Sequence, residues 1–341
     1  MTEASRTAQV LSIGLLIVLC GVVPVSLPNV AAASAPTAQL GPRPLIGTYT
    51  CSATSPCPMG IADYGVNKKT DYSYKASEFL SWANFTKLTI GGSKEITVQQ
   101  NTVAYGVYEV GKGRAISGVY WIQDVPVITQ AGTSYTIQLE NNIWNFSSTT
   151  AEMSGTILGN QQGDCSQTGG QPTFYYCVGA QTITTTLPFS IEMIVTTSVL
   201  TSGTHSGASD VTFAIYVYHG STLAGGAEYD SVAFNGQAKG GTSPWFQVGG
   251  SNPYGLNDDA ETVMCGPGGG SSAPISKVSA TMSEFYFPTG SSTRTPISHA
   301  WSAGSDTAET VSGVKMSAST TTSGIHTGVA KSGTDVNKQL F

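Results

Sequence analysis

Runs of β-branched and aromatic residues, broken at short intervals by glycine and proline, constrain what this chain can fold into. The strongest run is Gly118–Ile128, and Val211–Tyr218 is of the same kind. No segment keeps a helical period for more than about three turns. With 40 Gly and 16 Pro among 341 residues, strands joined by tight turns are expected. The sequence therefore predicts an all-β fold, a large β-sandwich or barrel-like domain of many short antiparallel strands.

The two ends of the chain differ from its middle. Residues 1–35 contain the apolar run Val10–Leu27 followed by small residues, which is typical of a secretory signal peptide. An uncleaved membrane anchor is the alternative. Residues 291–341 are rich in Ser, Thr, Gly and Ala and are predicted to be a low-complexity tail. Residues 36–290 are the predicted β domain, with two β subdomains as an alternative, and they are expected to be secreted.

Charged residues are scarce and slightly acidic in balance. They make up 11% of the chain, with 15 Lys and Arg against 21 Asp and Glu, which gives a net charge of -6. Without a basic run, nucleic acid is not an expected partner. Carboxylates lose their charge in acid while Lys and Arg keep theirs, so a chain with few basic residues repels itself little at low pH. The composition therefore suits an acidic environment.

The cysteines predict local disulfides. Cys51 pairs with Cys57 and Cys165 with Cys177 in the preferred arrangement, which leaves Cys265 over. No cysteine or histidine spacing matches a zinc site, so neither a metal nor a cofactor is expected. A membrane is an expected partner only if the N-terminal segment remains uncleaved.

Carboxyl groups occur at positions that a solvated surface does not explain. Asp63 ends the apolar run Met59–Ala62, Asp230 lies in a short strand, and Asp124 is embedded in the Gly118–Ile128 strand. A carboxylate in such a strand must be hydrogen-bonded, paired or protonated, because burying it as a charge is costly.

A cluster of acids adds to these candidates. Asp258, Asp259 and Glu261 fall within four positions between turn-forming residues. Gln123 could polarise a carbonyl group or hold a water molecule. Two carboxyls that share a proton can act as general base and general acid in peptide hydrolysis. Alternatively, these acids cap backbone amides at turns, and the residues alone leave both interpretations open.

Six blocks of the sequence stand out, namely Pro58–Gly65, Tyr120–Val125, Asn142–Ser147, Tyr229–Phe234, Asn252–Glu261 and Gly266–Gly270. They resemble signature blocks of the thermopsin family, a family of secreted acid endopeptidases of acidophilic archaea. The resemblance implies an aspartic-type peptidase that cleaves polypeptides in hot acid next to large apolar residues, without metal or cofactor. Within the acid cluster it favours Asp259 and Glu261, which fall in a family block. The Asp-Thr-Gly triplet of pepsin is missing, so the resemblance does not identify a catalytic dyad.

The predicted function is therefore a secreted acid endopeptidase that activates water with paired carboxyls and forms no covalent intermediate. Its substrates are polypeptides. The candidate catalytic residues, from which the dyad is drawn, are Asp63, Gln123, Asp124, Asp230, Asp259 and Glu261.

Two other functions compete with this one. A surface-layer or adhesive β protein is compatible with the low charge and the Ser/Thr-rich end, and it predicts no cleft. A glycosidase would also need two carboxyls, held at a characteristic separation, together with aromatic platforms such as Trp121, Trp144 and Trp245.

Overall fold

The computed structural model is all-β, which confirms the predicted fold class. The residues that it describes are 59–63, 65–67, 70–92, 94–111, 114–145, 157–160, 165, 174–237, 244–249, 260–268, 271–297, 301–303, 309–321 and 324–330. The predicted signal peptide, the Cys51–Cys57 pair, Asp258 and Asp259 lie outside these residues. Within them, no helix is long and apolar enough to cross a bilayer.

Twenty-one strands follow one another along the described part of the chain. In order they are β1 (Met59–Asp63), β2 (Val66–Asn67), β3 (Thr70–Asp71), β4 (Tyr74–Ile90), β5 (Glu95–Gly111), β6 (Arg114–Asp124), β7 (Val127–Ala131), β8 (Ser134–Asn145), β9 (Ile157–Asn160), β10 (Phe174–Thr186), β11 (Phe189–Val199), β12 (Ala208–His219), β13 (Thr222–Gln237), β14 (Trp245–Val248), β15 (Ala260–Cys265), β16 (Ser272–Pro288), β17 (Thr295–Pro296), β18 (Trp301–Ala303), β19 (Thr310–Ser312), β20 (Lys315–Thr321) and β21 (Gly324–Ala330).

Hydrogen bonding links these strands into two arrays. The first runs β10–β8–β6–β5–β15–β1–β18, all antiparallel. The second runs β20–β21–β16–β4–β11–β12–β13–β9, also antiparallel. Strand β14 pairs with both β4 and β5 and so joins the two arrays. The predicted sandwich-like architecture therefore arises from one sheet that folds onto itself.

Polar contacts between the arrays show that their inner faces pack together. The Thr262 hydroxyl on β15 lies 2.6 Å from Ser81 Oγ on β4. On the other side of the layer, the Tyr135 hydroxyl on β8 donates a 2.5 Å hydrogen bond to the Leu88 carbonyl on β4. The apolar core lies between these contacts, and a strand such as β11 buries every second side chain into it.

Several strands are longer than the short strands that the sequence predicted. Strands β4, β5 and β16 each contain 17 residues. The pairing of β4 with β16 shifts register at three places, including the step between Ser279 and Ala280. Such irregularities bend a long strand, which allows one strand to follow the curvature of a sheet that folds over.

The Ser/Thr-rich segment from residue 291, predicted as a low-complexity tail, contributes strands to this sheet. Strand β21 pairs antiparallel with β16, and β19 pairs parallel with it. Val311, Val314 and Val329 are buried. The sheet therefore extends past the boundary predicted at residue 290.

Cys165 and Cys177 form a disulfide, as their spacing predicted. Cys177 lies on β10 and is fully buried, and Cys165 forms an isolated bridge with Gly179. Cys265 is a buried residue of β15 and takes no part in this disulfide.

We expect the double variant Cys165→Ser/Cys177→Ser to lower the free energy of unfolding by about 2–4 kcal/mol, because the bond closes a loop in the unfolded chain. Urea titration of the oxidised protein, the reduced protein and the double variant measures this loss. The reduced protein should match the double variant. Equal stability of all three samples would contradict a stabilising role for the disulfide.

Candidate active site

Strand alternation places neighbouring candidate residues on opposite faces of the first array. Gln123 and Asp124 are adjacent on β6, so their side chains point to opposite sides of the sheet. Pairing aligns Gln123 with Asn101 on β5 and with Asn142 on β8. Asn101 in turn is opposite Glu261 on β15. Polar residues of four adjacent strands therefore form a row on the outer face.

Hydrogen bonds connect this row and fix its amide groups. Asn101 Nδ2 donates to Glu261 Oε1 over 2.7 Å, and Gln123 Nε2 donates to Asn101 Oδ1 over 3.1 Å. Gln123 Nε2 also donates to Gln99 Oε1 over 3.2 Å, and its Oε1 accepts a 2.9 Å bond from Trp144 Nε1. Both Gln123 N–H groups are therefore engaged, and the side chain is held in one orientation.

The row borders a cavity of about 370 Å³. Two glutamates line it together with two glutamines, and an indole ring and the turn at Pro267 form further walls. Two carboxyls and three side-chain amides thus meet in a space large enough for several side chains of a substrate. The lining residues are Thr97, Gln99, Gln123, Val125, Glu140, Asn142, Trp144, Tyr176, Pro267, Gly268 and Glu309.

Glu140 is the half-buried carboxyl of this cavity. Its Oε2 accepts a 2.8 Å hydrogen bond from the Tyr176 hydroxyl on the neighbouring strand β10. Burial raises the pKa of Glu140 and the charge of Glu95 adds to the rise, whereas the Tyr176 bond opposes it. Glu140 therefore keeps its proton to a higher pH than an exposed glutamate does.

Asp124 and Asp230 lie together behind the cavity, in the interior, and neither is exposed. The Tyr229 hydroxyl oxygen lies 2.7 Å from Asp124 Oδ1, within hydrogen-bond distance, and Asn141 Nδ2 donates a 2.7 Å bond to Asp230 Oδ2. Burial raises the pKa of Asp124 well above its usual range, and the charge of Asp230 adds to the rise. Burial also raises the pKa of Asp230, to about 6. The prediction that an acid within this strand must be hydrogen-bonded is confirmed for Asp124.

Asp63 lies at the end of β1, opposite Ala260 on β15. Its Oδ1 accepts a 2.8 Å bond from the Gly65 amide and a short bond from the Tyr72 hydroxyl. Its Oδ2 accepts a 3.0 Å bond from the Tyr74 hydroxyl. One backbone amide and two tyrosine hydroxyls thus donate to the Asp63 carboxyl group.

Glu284 on β16 is a buried carboxyl near Asp63 that the sequence did not single out. Its Oε1 accepts a 2.7 Å bond from the Thr262 hydroxyl, and its Oε2 has no hydrogen-bond partner in the described part of the chain. Burial raises the pKa of Glu284 well above its usual range, and the charges of Asp63 and Glu261 raise it further. A protonated Glu284 therefore lies within electrostatic reach of two predicted carboxyls.

The structure thus distributes the predicted residues over three places. Gln123 lines the cavity, and Glu261 is linked to it through Asn101. Asp124 and Asp230 lie behind the cavity, and Asp63 lies beside Glu284. Asp259 is outside the described residues.

Four cavity residues were missed by the sequence reasoning. The sequence did contain a signal for Gln99 and Glu140, because each lies in a run with a polar residue at every second position. These runs are Thr97, Gln99 and Asn101 on β5, and Gln138, Glu140 and Asn142 on β8. Glu309 lies in the segment interpreted as a tail. The missed residues are Gln99, Glu140, Tyr176 and Glu309.

One group of side chains has the spacing of metal ligands. Cys165, Cys177 and Asp230 bring potential ligand atoms within 4.8 Å of one another. Both sulfur atoms are joined in the disulfide, so neither offers a thiolate to a metal ion.

Comparison with known proteins identifies the family. A search of curated proteins gave no match. A sequence model of the thermopsin family matches residues 45–314, which is most of the chain and includes both cavity glutamates. The chain therefore belongs to the thermopsin family and is a peptidase of that family.

Proposed function

We propose that this protein is a secreted endopeptidase that hydrolyses polypeptides at low pH in the cavity bordered by Gln99, Gln123, Glu140 and Glu309. The observation that carries the proposal is that this cavity joins two carboxyls to a fixed pair of amides on one sheet face. Peptide hydrolysis by activated water needs a base, an acid and a donor for the developing oxyanion.

The raised pKa of Glu140 makes it suitable as the general acid, since it holds its proton in acid. Glu309, as a carboxylate, takes a proton from water while the water oxygen attacks the carbonyl carbon of the scissile peptide. Glu140 then gives its proton to the amide nitrogen, and the C–N bond breaks. Exchange with solvent then removes the proton from Glu309 and returns one to Glu140. Because water rather than a side chain attacks the carbonyl carbon, no covalent enzyme–substrate intermediate forms.

The oxyanion donor in this scheme is Gln99. Its Nε2 donates one hydrogen bond, of 3.3 Å, to the Thr97 hydroxyl, which leaves its second N–H for a substrate oxygen. Gln123 uses both of its N–H groups within the protein, and one of them donates a hydrogen bond to the Oε1 atom of Gln99. Gln123 is therefore a positioning residue, and Glu261 orients it through Asn101.

The remaining predicted carboxyls, Asp63, Asp124 and Asp230, do not line the cavity. An adhesive function is less well supported, because a surface-layer protein has no need of a polar cavity with two carboxyls. A glycosidase would show no activity on acid-denatured protein, the substrate of the assay described next.

We expect Glu140→Gln and Glu309→Gln each to lower kcat for acid-denatured protein at least about 100-fold, because each removes one proton-transfer group. Glu192→Gln is the matched control. Glu192 is a half-buried glutamate on β11 with a raised pKa, mainly from burial, and a 3.0 Å bond from Tyr218, and it lies away from the cavity lining.

Thermal melting of each variant separates lost catalysis from lost folding. If Glu140→Gln kept its activity while Asp63→Asn or Glu284→Gln lost it with an unchanged Tm, catalysis would lie at the buried Asp63–Glu284 cluster and the cavity proposal would be wrong.

Gln99→Ala should lower kcat by about 10²–10³ with a small change in KM, as expected for a donor that acts on the developing oxyanion. Gln123→Ala should show a smaller loss because it acts through Gln99. Steady-state kinetics on a short peptide measures both. A larger loss for Gln123→Ala than for Gln99→Ala would reverse these two roles.

Tyr176→Phe should extend activity to higher pH. The Tyr176 bond opposes the rise in the Glu140 pKa, so its removal raises this pKa further. The protonated acid then persists to higher pH. The pH profile of kcat measures the shift, and Tyr218→Phe beside Glu192 is the control that should leave the profile unchanged. A shift to lower pH would contradict the assignment of Glu140 as the acid.

A further inference from the structure

The Tyr229 hydroxyl lies between a buried acid and the backbone of the cavity wall. Its oxygen is 2.7 Å from Asp124 Oδ1 and 2.5 Å from the carbonyl oxygen of Glu140. The same carbonyl accepts a 2.8 Å hydrogen bond from the amide of Val125. The backbone of Glu140 is therefore held from behind the sheet, while its side chain faces the cavity in front.

The number of available protons decides which group donates in the hydrogen-bonded series Asp124, Tyr229 and the Glu140 carbonyl. A tyrosine hydroxyl carries one proton, and a backbone carbonyl can only accept. If Tyr229 donates to the carbonyl of Glu140, its contact with Asp124 is a hydrogen bond only when Asp124 supplies the proton. If Asp124 is a carboxylate, it draws the Tyr229 proton to itself, and the contact with the carbonyl is lost.

A second buried acid, Asp230, contacts the chain neighbours of Glu140 and Tyr176 from the same side of the sheet. Asp230 Oδ2 accepts hydrogen bonds from Asn141 and, over 3.0 Å, from the Tyr175 hydroxyl. Asn141 follows Glu140 on β8, and Tyr175 precedes Tyr176 on β10. The back-face acids thus contact the strand residues adjacent to the Glu140–Tyr176 pair.

We propose that Asp124 and Tyr229 are positioning residues that hold Glu140 in the cavity only while Asp124 is protonated, through a chain of hydrogen bonds from Asp124 to Tyr229 to the Glu140 carbonyl. This inference rests on the proposed role of Glu140 as the general acid. It makes the geometry of the cavity wall depend on pH through a residue that does not touch the substrate.

The surroundings favour the protonated form of Asp124. Burial raises the pKa of Asp124, the charge of Asp230 raises it further, and the Tyr229 bond opposes the rise. Asp210 in turn raises the pKa of Asp230. Four titratable groups of the described residues lie around Asp124 and its hydrogen-bonded neighbours. They are Tyr229 and Asp230 on β13, Tyr175 on β10 and Asp210 on β12.

The variant Asp124→Asn separates this positioning role from catalysis, because its amide can donate to Tyr229 at every pH. We expect its kcat in acid to stay within about 3-fold of wild type and its activity to extend to higher pH. Asp124→Ala and Tyr229→Phe should each lose at least about 10-fold in kcat with little change in KM. In the Tyr229→Phe background, Asp124→Asn should have no further effect on the pH profile, since the two residues act as one chain.

Amide hydrogen exchange of β8, corrected for intrinsic rates, provides a readout that does not depend on catalysis. Protection of residues 138–144 should fall more steeply with rising pH in the wild type than in Asp124→Asn, where the buried Asp230 still loses its proton. An equal pH dependence in the two proteins would contradict the inference. Failure of Glu140→Gln to reduce activity would defeat the proposed active site while leaving this exchange result intact. A loss of about 100-fold or more in Asp124→Asn with an unchanged Tm would make Asp124 a catalytic residue and overturn the inference, as would pH-independent protection in the wild type.

Discussion

Neutral donors, namely tyrosine, threonine and asparagine side chains, hold the carboxyl groups in the interior of this protein. Tyr74 donates to Asp63, Thr262 to Glu284 and Asn141 to Asp230. A neutral donor offsets only part of the cost of removing a carboxylate from water, so burial raises the pKa of Asp230 and of Glu284. The packing of the two arrays therefore brings together acids that are held more readily in their protonated form.

The consequence for stability follows from the direction of the pKa shifts. The pKa of Asp230 is raised to about 6 in the folded protein, against about 3.9 for an ordinary Asp. Its contribution to stability is therefore fully present below about pH 4 and is lost as the pH rises through about 6. Asp124 and Glu284, whose pKa values are raised by burial, act in the same direction. Because the chain has only 15 Lys and Arg, little positive charge remains to cause repulsion when the carboxylates are protonated.

The sequence was sufficient for the fold class and for the unusual position of Asp124, because both depend on local pattern. It could not provide the cavity, since the alignment of Asn101 with Gln123, and of Gln123 with Asn142, depends on pairings between strands. Gln123 and Asp124 were treated together as candidates, although their side chains point to opposite faces of the sheet. The alternation of side chains along a strand was enough to assign them to different faces. Strands β19 to β21 were hidden by their Ser/Thr-rich composition, since their order depends on pairing with β16.

Strand alternation also explains why the buried acids and the cavity occupy the same blocks of sequence. Each residue that lines the cavity has a chain neighbour on the back face: Gln123 has Asp124, and Tyr176 has Tyr175. A substitution behind the sheet can therefore disturb the cavity without removing a group that reacts. Loss of activity alone cannot identify a catalytic dyad in such a fold. The direction in which a neutral substitution moves the pH profile can, because a reacting carboxyl must change its protonation state during the reaction, whereas a supporting carboxyl need only keep its proton.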